Sequence, residues 1–200
     1  DTFFIMCIAG AAMFVAAGAR FSHLALLALG GIILVLALAF MRPYVMDRLT
    51  TFLDPTSDPL GSGYQIQQSL IAIGSGGVLG RGYGQSIQKF EYLPEPIGDS
   101  IFAVYAEEFG FLGTALLVLI LSVFTFRGYK IATQAPDLFG MLLVVGIMTL
   151  IVSQAFLNIA AMVGRAPLSG LPLPFLSHGG TALFSVLASL GIVLNVSKHR

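Results

Sequence analysis

Of 200 residues, 56% are hydrophobic and only 10% are charged, with ten basic side chains balancing ten acidic ones. A soluble chain carries about 25% charged residues, so at a mean hydropathy of +0.90 this one holds more apolar side chain than a water-facing fold of its size can hide. The same arithmetic excludes intrinsic disorder and a nucleic-acid footprint, the lone Cys7 excludes a disulfide framework or cysteine-rich metal site, and an integral membrane protein is what remains.

The chain opens on Asp1-Thr2-Phe3-Phe4, with no initiator Met and no charged leader region. It therefore reads as the C-terminal part of something longer, with an apolar helix already under way. Five stretches approach the roughly 20 apolar residues that a spanning helix needs: 2–18, 23–41, 101–126, 138–163 and 179–196. The first two are separated only by Ala19 to Ser22, which predicts a tight antiparallel hairpin. No alternating strand-length pattern recurs, which argues against a β-barrel. The expected architecture is an all-α polytopic transmembrane helix bundle of about five spanning helices, with residues 1–200 forming one membrane domain fragment.

Charge density orients the bundle. One side carries Arg20, Arg127, Lys130, Lys198 and Arg200 in three very short segments. The other carries Arg42, Arg48, Arg81, Lys89 and Arg165, mostly diluted in one long loop with six acidic residues. Short basic loops mark the cytoplasmic side, so residues 42–100 and 164–178 are expected outside and the C-terminus inside.

The 42–100 loop is longer than a connection requires, and such loops carry function or are disordered. Its ordered turn vocabulary argues for function. Ile66, Leu70 and Ile73 recur at helical spacing, with Gln65, Gln68 and Ser69 mostly on other faces. That pattern predicts a short amphipathic helix lying in the membrane interface or dipping into it. A glycine-rich run from Gly74 to Gly84 follows. Its backbone N–H groups could cradle a phosphate, or it could be a chain of turns lying against protein. The P-loop Lys-Ser/Thr is missing, while Arg81 and Lys89 flank the run and suggest a nearby anionic group.

Asp99 lies in Ile97-Gly98-Asp99-Ser100, where the loop enters the third span. A carboxylate there can cap the helix. Alternatively, partly desolvated at the membrane–water boundary, it can serve as a general base, with Ser100 taking the cap. Glu107 falls about 80° around an ideal helix from Asp99 and Glu108 lies opposite it, so the three form no acid–base pair on one face. Intramembrane acids are costly, and a structural partner suits these two at least as well as chemistry. Gln154 and Asn158 are four apart on the fourth span, which fits interhelical hydrogen bonding. The Pro167–Pro174 segment keeps the outer loop extended. His178 can titrate near neutrality or be held by a hydrogen bond at the interface.

Together these residues resemble the SEDS family (shape, elongation, division and sporulation) of polytopic FtsW/RodA-type glycosyltransferases. Several ordered motifs carry the resemblance across essentially all 200 residues. Arg48-x-x-x-Phe52-Leu53-x-Pro55 leads into Asp58-Pro59-x-Gly61-x-Gly63-Tyr64-Gln65-x-x-Gln68-Ser69. Gln88-Lys89-x-x-Tyr92-Leu93-Pro94-Glu95 precedes Asp99-x-Ile101-Phe102-Ala103 and Glu107-Glu108-x-Gly110. Asn158 and Pro172-Leu173-Pro174-Phe175-x-Ser177-x-Gly179-Gly180 close the series. Gln88 to Pro94 and Ser153-Gln154-Ala155 look closer to the division branch than to the elongation branch.

The resemblance implies a peptidoglycan glycosyltransferase that polymerises lipid II at the outer face of the bacterial plasma membrane. It makes Asp99 the expected catalytic base. Arg48, Gln65, Gln68, Ser69, Arg81, Lys89 and Glu91 become the expected substrate-binding residues, with Glu107, Glu108, Asn158, Ser177 and His178 as their support. It leaves room for a divalent cation, Mg or Mn. The partners it implies are lipid II, a class B penicillin-binding protein (a transpeptidase), other division-machinery membrane proteins and the lipid bilayer. This chain departs from the family's common His-Thr-Asp-Phe setting around the acid and has His178 where Tyr is usual. Rival readings are a lipid II flippase, suggested by polar residues within spans, and a non-catalytic division scaffold.

Overall fold

The computed structural model describes residues 2–41, 50–52, 61–168 and 170–198. Its regular elements are the helices α1 (Thr2–Ala16), α2 (Phe21–Met41), α3 (Ser62–Ser75), α4 (Gln88–Glu91), α5 (Ile101–Thr133), α6 (Leu138–Met162) and α7 (Gly180–Lys198). Each of the five apolar stretches is therefore helical. By length and composition α5, α6 and α7 can cross a membrane. At 15 residues, α1 covers only about 22 Å, short of a hydrocarbon core of about 30 Å. At 21 residues, α2 covers about 31 Å.

The central helix is α6, packed against α1, α5 and α7. It starts where Asp137 caps it, the carboxylate accepting a hydrogen bond from the Gly140 N–H at 3.0 Å. One core cluster joins Val144, Val145 and Met148 of α6 to Ala132 of α5 and Val193 of α7, with Met13 of α1 against them. A second, nearer Asp99, joins Ile66 of α3 to Phe102 and Leu117 of α5, Ala155 and Met162 of α6, and Leu173 of the following loop.

The span 101–126 read from the sequence lies within α5, which runs on to Thr133. At 33 residues, α5 is about 50 Å long, well beyond the hydrocarbon thickness. It is interrupted at Gly110, whose backbone (φ 64°, ψ −164°) is not helical. The 23 residues from 111 to 133 make about 35 Å and cross a bilayer unaided. Residues 101–109 precede the break, and Glu107 and Glu108 stand immediately before it.

The apolar positions of α3 divide between a buried and an exposed face. Ile66, Ser69 and Ala72 are buried, whereas Leu70 and Ile71 are exposed. Small residues face the protein because α3 packs closely beside the outer part of α5, and small side chains let two backbones approach. The contacts advance together along both helices. Gln65 meets Ser100, and Gly76 meets the Ala106 backbone. The two helices therefore run side by side in the same direction.

Candidate functional site

The glycine run ends α3 and fills the break in α5. Glu107 and Glu108 carbonyls, freed by the kink, accept from the Arg81 and Gly82 N–H groups, each at 3.0 Å. In return, Phe111 and Leu112 N–H groups donate to the Gly77 and Val78 carbonyls at 2.9 and 3.1 Å. Backbone polar groups near a membrane must find internal partners, and here two broken segments satisfy each other. A Cβ on Gly80 would fall onto the Glu108 carbonyl, and one on Gly110 onto the Gly80 nitrogen. Of the two readings left open for this run, turns against protein is the one observed. The N–H groups of Gly76, Gly77, Gly80, Arg81 and Gly82 all donate within the chain, so none of them is offered to a phosphate.

The acids beside the break are paired in the same way. Glu107 is fully buried and accepts from the Ser86 hydroxyl at 2.6 Å and from the Ile87 and Gln88 N–H groups at 3.2 Å, holding the turn that begins α4. Arg81 lies 3.4 Å from it, and Lys89 donates to Glu108 at 2.6 Å. The anionic partners inferred for Arg81 and Lys89 are thus the protein's own carboxylates. Charges this close to low dielectric are stable only when compensated, and two acids with two bases leave no net charge at the break.

Asp99 is placed by a separate set of contacts. It is half-buried where the 94–100 turn meets the 170–178 loop. Asn158 of α6 donates through one amide nitrogen to the carbonyls of Asp99 and Leu171, each at 2.7 Å. The Ser177 hydroxyl donates to the Gly98 carbonyl at 2.6 Å and accepts from the Leu173 N–H at 2.7 Å. The His178 N–H donates to the Ile97 carbonyl at 2.8 Å, and Gln154 donates to the Pro172 carbonyl at 2.8 Å. Three successive carbonyls, those of residues 97, 98 and 99, are therefore held from the far loop and α6. Glu95 and Phe175, one in each of these two loops, adopt left-handed backbone (φ 47° and 71°), a strain that persists only where surrounding contacts impose it.

Asp99 is not the helix cap. Ser100 occupies that position without capping through its side chain. Its hydroxyl donates instead to the Pro94 carbonyl at 2.8 Å and accepts from Gln65 of α3 at 2.9 Å. Burial pushes the Asp99 carboxyl above its ordinary range, and the nearby Glu95 adds to this. Hydrogen bonds from its own backbone, Gln65 and Ser100 pull the other way without cancelling the rise. One carboxylate oxygen is buried with no hydrogen-bond partner among the described residues. The other lies beside Gly170, where a Cβ would come within 3.8 Å of it. A carboxylate with a raised pKa, rigid backbone and an uncommitted oxygen is suited to taking a proton.

The expected site residues divide accordingly. Gln65, Asn158, Ser177 and His178 gather around Asp99, the histidine through its backbone. Gln68 is half-buried on α3. Ser69, expected at the substrate, is fully buried and bonds the Gln65 carbonyl at 2.8 Å and the Met162 sulfur at 3.4 Å, so it is a packing residue. Arg81, Lys89, Glu107 and Glu108 form the separate charge cluster. Glu91 ends α4, and Arg48 lies outside the described residues. Ser86, Glu95 and Gly170 were not singled out as site residues, and nothing in their local sequence marks them. Among the described residues no three His, Cys, Asp or Glu side chains come together to hold a metal ion.

The family model for FtsW, RodA and SpoVE, described as cell cycle protein, matches residues 1–200. Stage V sporulation protein E of Bacillus subtilis is 48% identical over 187 residues, covering 94% of this chain and 51% of that protein. A probable peptidoglycan glycosyltransferase FtsW of Thioalkalivibrio sulfidiphilus is 43% identical over 199 residues, or 98% of this chain and 50% of the relative. The peptidoglycan glycosyltransferase MrdB of Escherichia coli K12 is 42% identical over 179 residues, or 85% of this chain and 48% of the relative. A solved chain from a peptidoglycan synthase complex that coordinates polymerization and crosslinking superposes with a TM-score of 0.77 at 26% identity, over 98% of this chain and 55% of that one. The chain spans about half the length of the curated relatives it matches.

Proposed function

The chain belongs to the FtsW/RodA/SpoVE family of cell cycle proteins and is part of a multi-pass membrane protein, and on that premise we propose that it carries the catalytic base of a peptidoglycan glycosyltransferase. The single observation behind this reading is Asp99: a half-buried carboxylate with a raised pKa, its backbone held by Asn158 and Ser177. In the proposed reaction, Asp99 accepts the proton of the acceptor sugar's hydroxyl as that oxygen attacks the anomeric carbon of lipid II. The bond from that carbon to the polyprenyl diphosphate breaks, and the diphosphate leaves with its electron pair.

Negative charge developing on the diphosphate needs a positive neighbour. Arg81 retains donors beyond its contact with Glu107 and is partly exposed, so it suits this role better than Lys89, which is held by Glu108. Gln65, bonded to Ser100 beside the acid, and the half-buried Gln68 are the α3 residues assigned to substrate contact in this reading. A divalent cation, Mg or Mn, could be held by the Asp99 carboxylate together with diphosphate oxygens and water, and no step above depends on one. The orientation that fits has the Asp99 end outside and the C-terminus in the cytoplasm. The solved neighbour's complex supports a crosslinking transpeptidase, a class B penicillin-binding protein, as partner. Septal synthesis with other division proteins is the division-branch form of the reading, suggested by the Gln88–Pro94 motif.

The test is a reconstituted assay with the full-length protein and labelled lipid II, with no other polymerase present. Wild type should yield glycan chains and Asp99→Ala none, at equal expression. Headgroup translocation without polymer would favour transport instead, and polymer from the Asp99→Ala protein would remove the base assignment.

A further inference from the structure

The end of the bundle opposite Asp99 gathers positive charge. Arg20 lies in the α1–α2 turn, Arg127 and Lys130 near the end of α5, and Lys198 at the end of α7. The one carboxylate described at that end, Asp137, is engaged in capping α6. Arg127 and Lys130 have no ion-pair partner among the described residues. With Ile131 and Gln134 they recur at i, i+3, i+4 and i+7, a single helical face, and the four line a concavity of about 210 Å³.

Depth identifies what such a cradle would meet. Arg127 lies 17 residues beyond the break at Gly110, about 26 Å along the helix, and Lys130 about 30 Å. A hydrocarbon core of about 30 Å that begins at the break therefore ends at this pair, at the level of lipid phosphates. Val123 and Phe126, on the preceding turn, are exposed and suit acyl chains. The negative end of the α5 dipole opposes an anion here with only about half a charge, against two full positive charges. We propose that Arg127 and Lys130 bind the phosphate of an anionic phospholipid headgroup in the leaflet opposite Asp99. A lipid phosphate is favoured over a free one because the cradle adjoins exposed apolar surface.

The proposal can be tested without any activity measurement, so it stands or falls apart from the role of Asp99. The full-length protein is equilibrated in mixed vesicles of phosphatidylglycerol and phosphatidylcholine, and the lipids it retains are counted by native mass spectrometry. A direct hydrogen bond to a charged group is worth about tenfold or more, so the Arg127→Gln/Lys130→Gln double variant should lose roughly twentyfold or more of the preference for phosphatidylglycerol. Arg127→Lys should keep most of it, and Lys198→Gln, outside the cradle, nearly all. An unchanged preference in the double variant would overturn the proposal. So would an equal loss in Lys198→Gln, which would indicate a general field, or displacement of the lipid by inorganic phosphate, which would indicate a free-anion site.

Discussion

Asp99 is costly to the fold in its ionised form. Burial raises its pKa above that of the unfolded chain, so the folded state binds the proton more tightly. Stability from this group is present at low pH and is lost as pH rises from the ordinary aspartate range through the raised value. Asp99→Asn should therefore raise the thermal unfolding midpoint at neutral pH while lowering polymerisation by about 10²–10⁴-fold. A midpoint that falls would contradict the desolvation account. The acidic limb of the wild-type rate profile should lie above the range in which a free aspartate titrates, and a limb at the free value would contradict the base role. Asn158→Leu removes the amide that donates to two carbonyls, leaving buried acceptors unpaired at about 1–3 kcal/mol each. If Asn158 positions Asp99, kcat should fall more than KM rises. At this scale the acid itself was legible in the sequence, because its place at a helix entrance is local information. Whether it capped that helix was not, because Ser100 takes the cap position while its hydroxyl turns away to Pro94 and Gln65.

The broken helix α5 and the re-entrant segment after α3 form one interlocked element. Their contact is backbone to backbone, so its tolerance for side chains is low. Gly80→Ala and Gly110→Ala each add a Cβ where backbone already stands and force an L-residue to positive φ (81° and 64°). Each should destabilise the protein by about 3 kcal/mol or more, at the severe end for single substitutions, and lower its folded yield in membranes. Gly30→Ala in α2, where a Cβ meets nothing within 4 Å, should be neutral or stabilising by up to about 1 kcal/mol. Thermal scans of the three variants in detergent provide the comparison, and equal losses in all three would remove the interlock as the cause. Helix periodicity placed α3 correctly but not its buried face. The period alone does not say which face meets protein, and the closeness of α5 selects Ser69 and Ala72 for that side and leaves Leu70 exposed.

For the whole molecule, the two ends carry different electrostatics. At the helix break near the Asp99 end two acids meet two bases, whereas Arg127 and Lys130 at the opposite end have no ion-pair partner among the described residues. In the full-length protein, with Cys7→Ser as background, a cysteine at Tyr83 should react with an impermeant maleimide from outside intact cells. A cysteine at Thr133 should react only after permeabilisation, and the reverse pattern would invert the orientation. Broad apolar faces on α5 and α7, including Phe111, Leu119, Phe184 and Leu194, suit lipid or the remainder of a protein whose relatives are twice as long. Sequence alone determined the membrane class, the helices and the acid at the loop's end, because composition and helical period are local properties of a chain. Tertiary structure decided where α5 breaks, which acid meets which base, and that Ser69 packs rather than binds. Those outcomes depend on distant segments meeting: Gly80 and Gly110 are thirty positions apart, and only their contact explains why both are glycine.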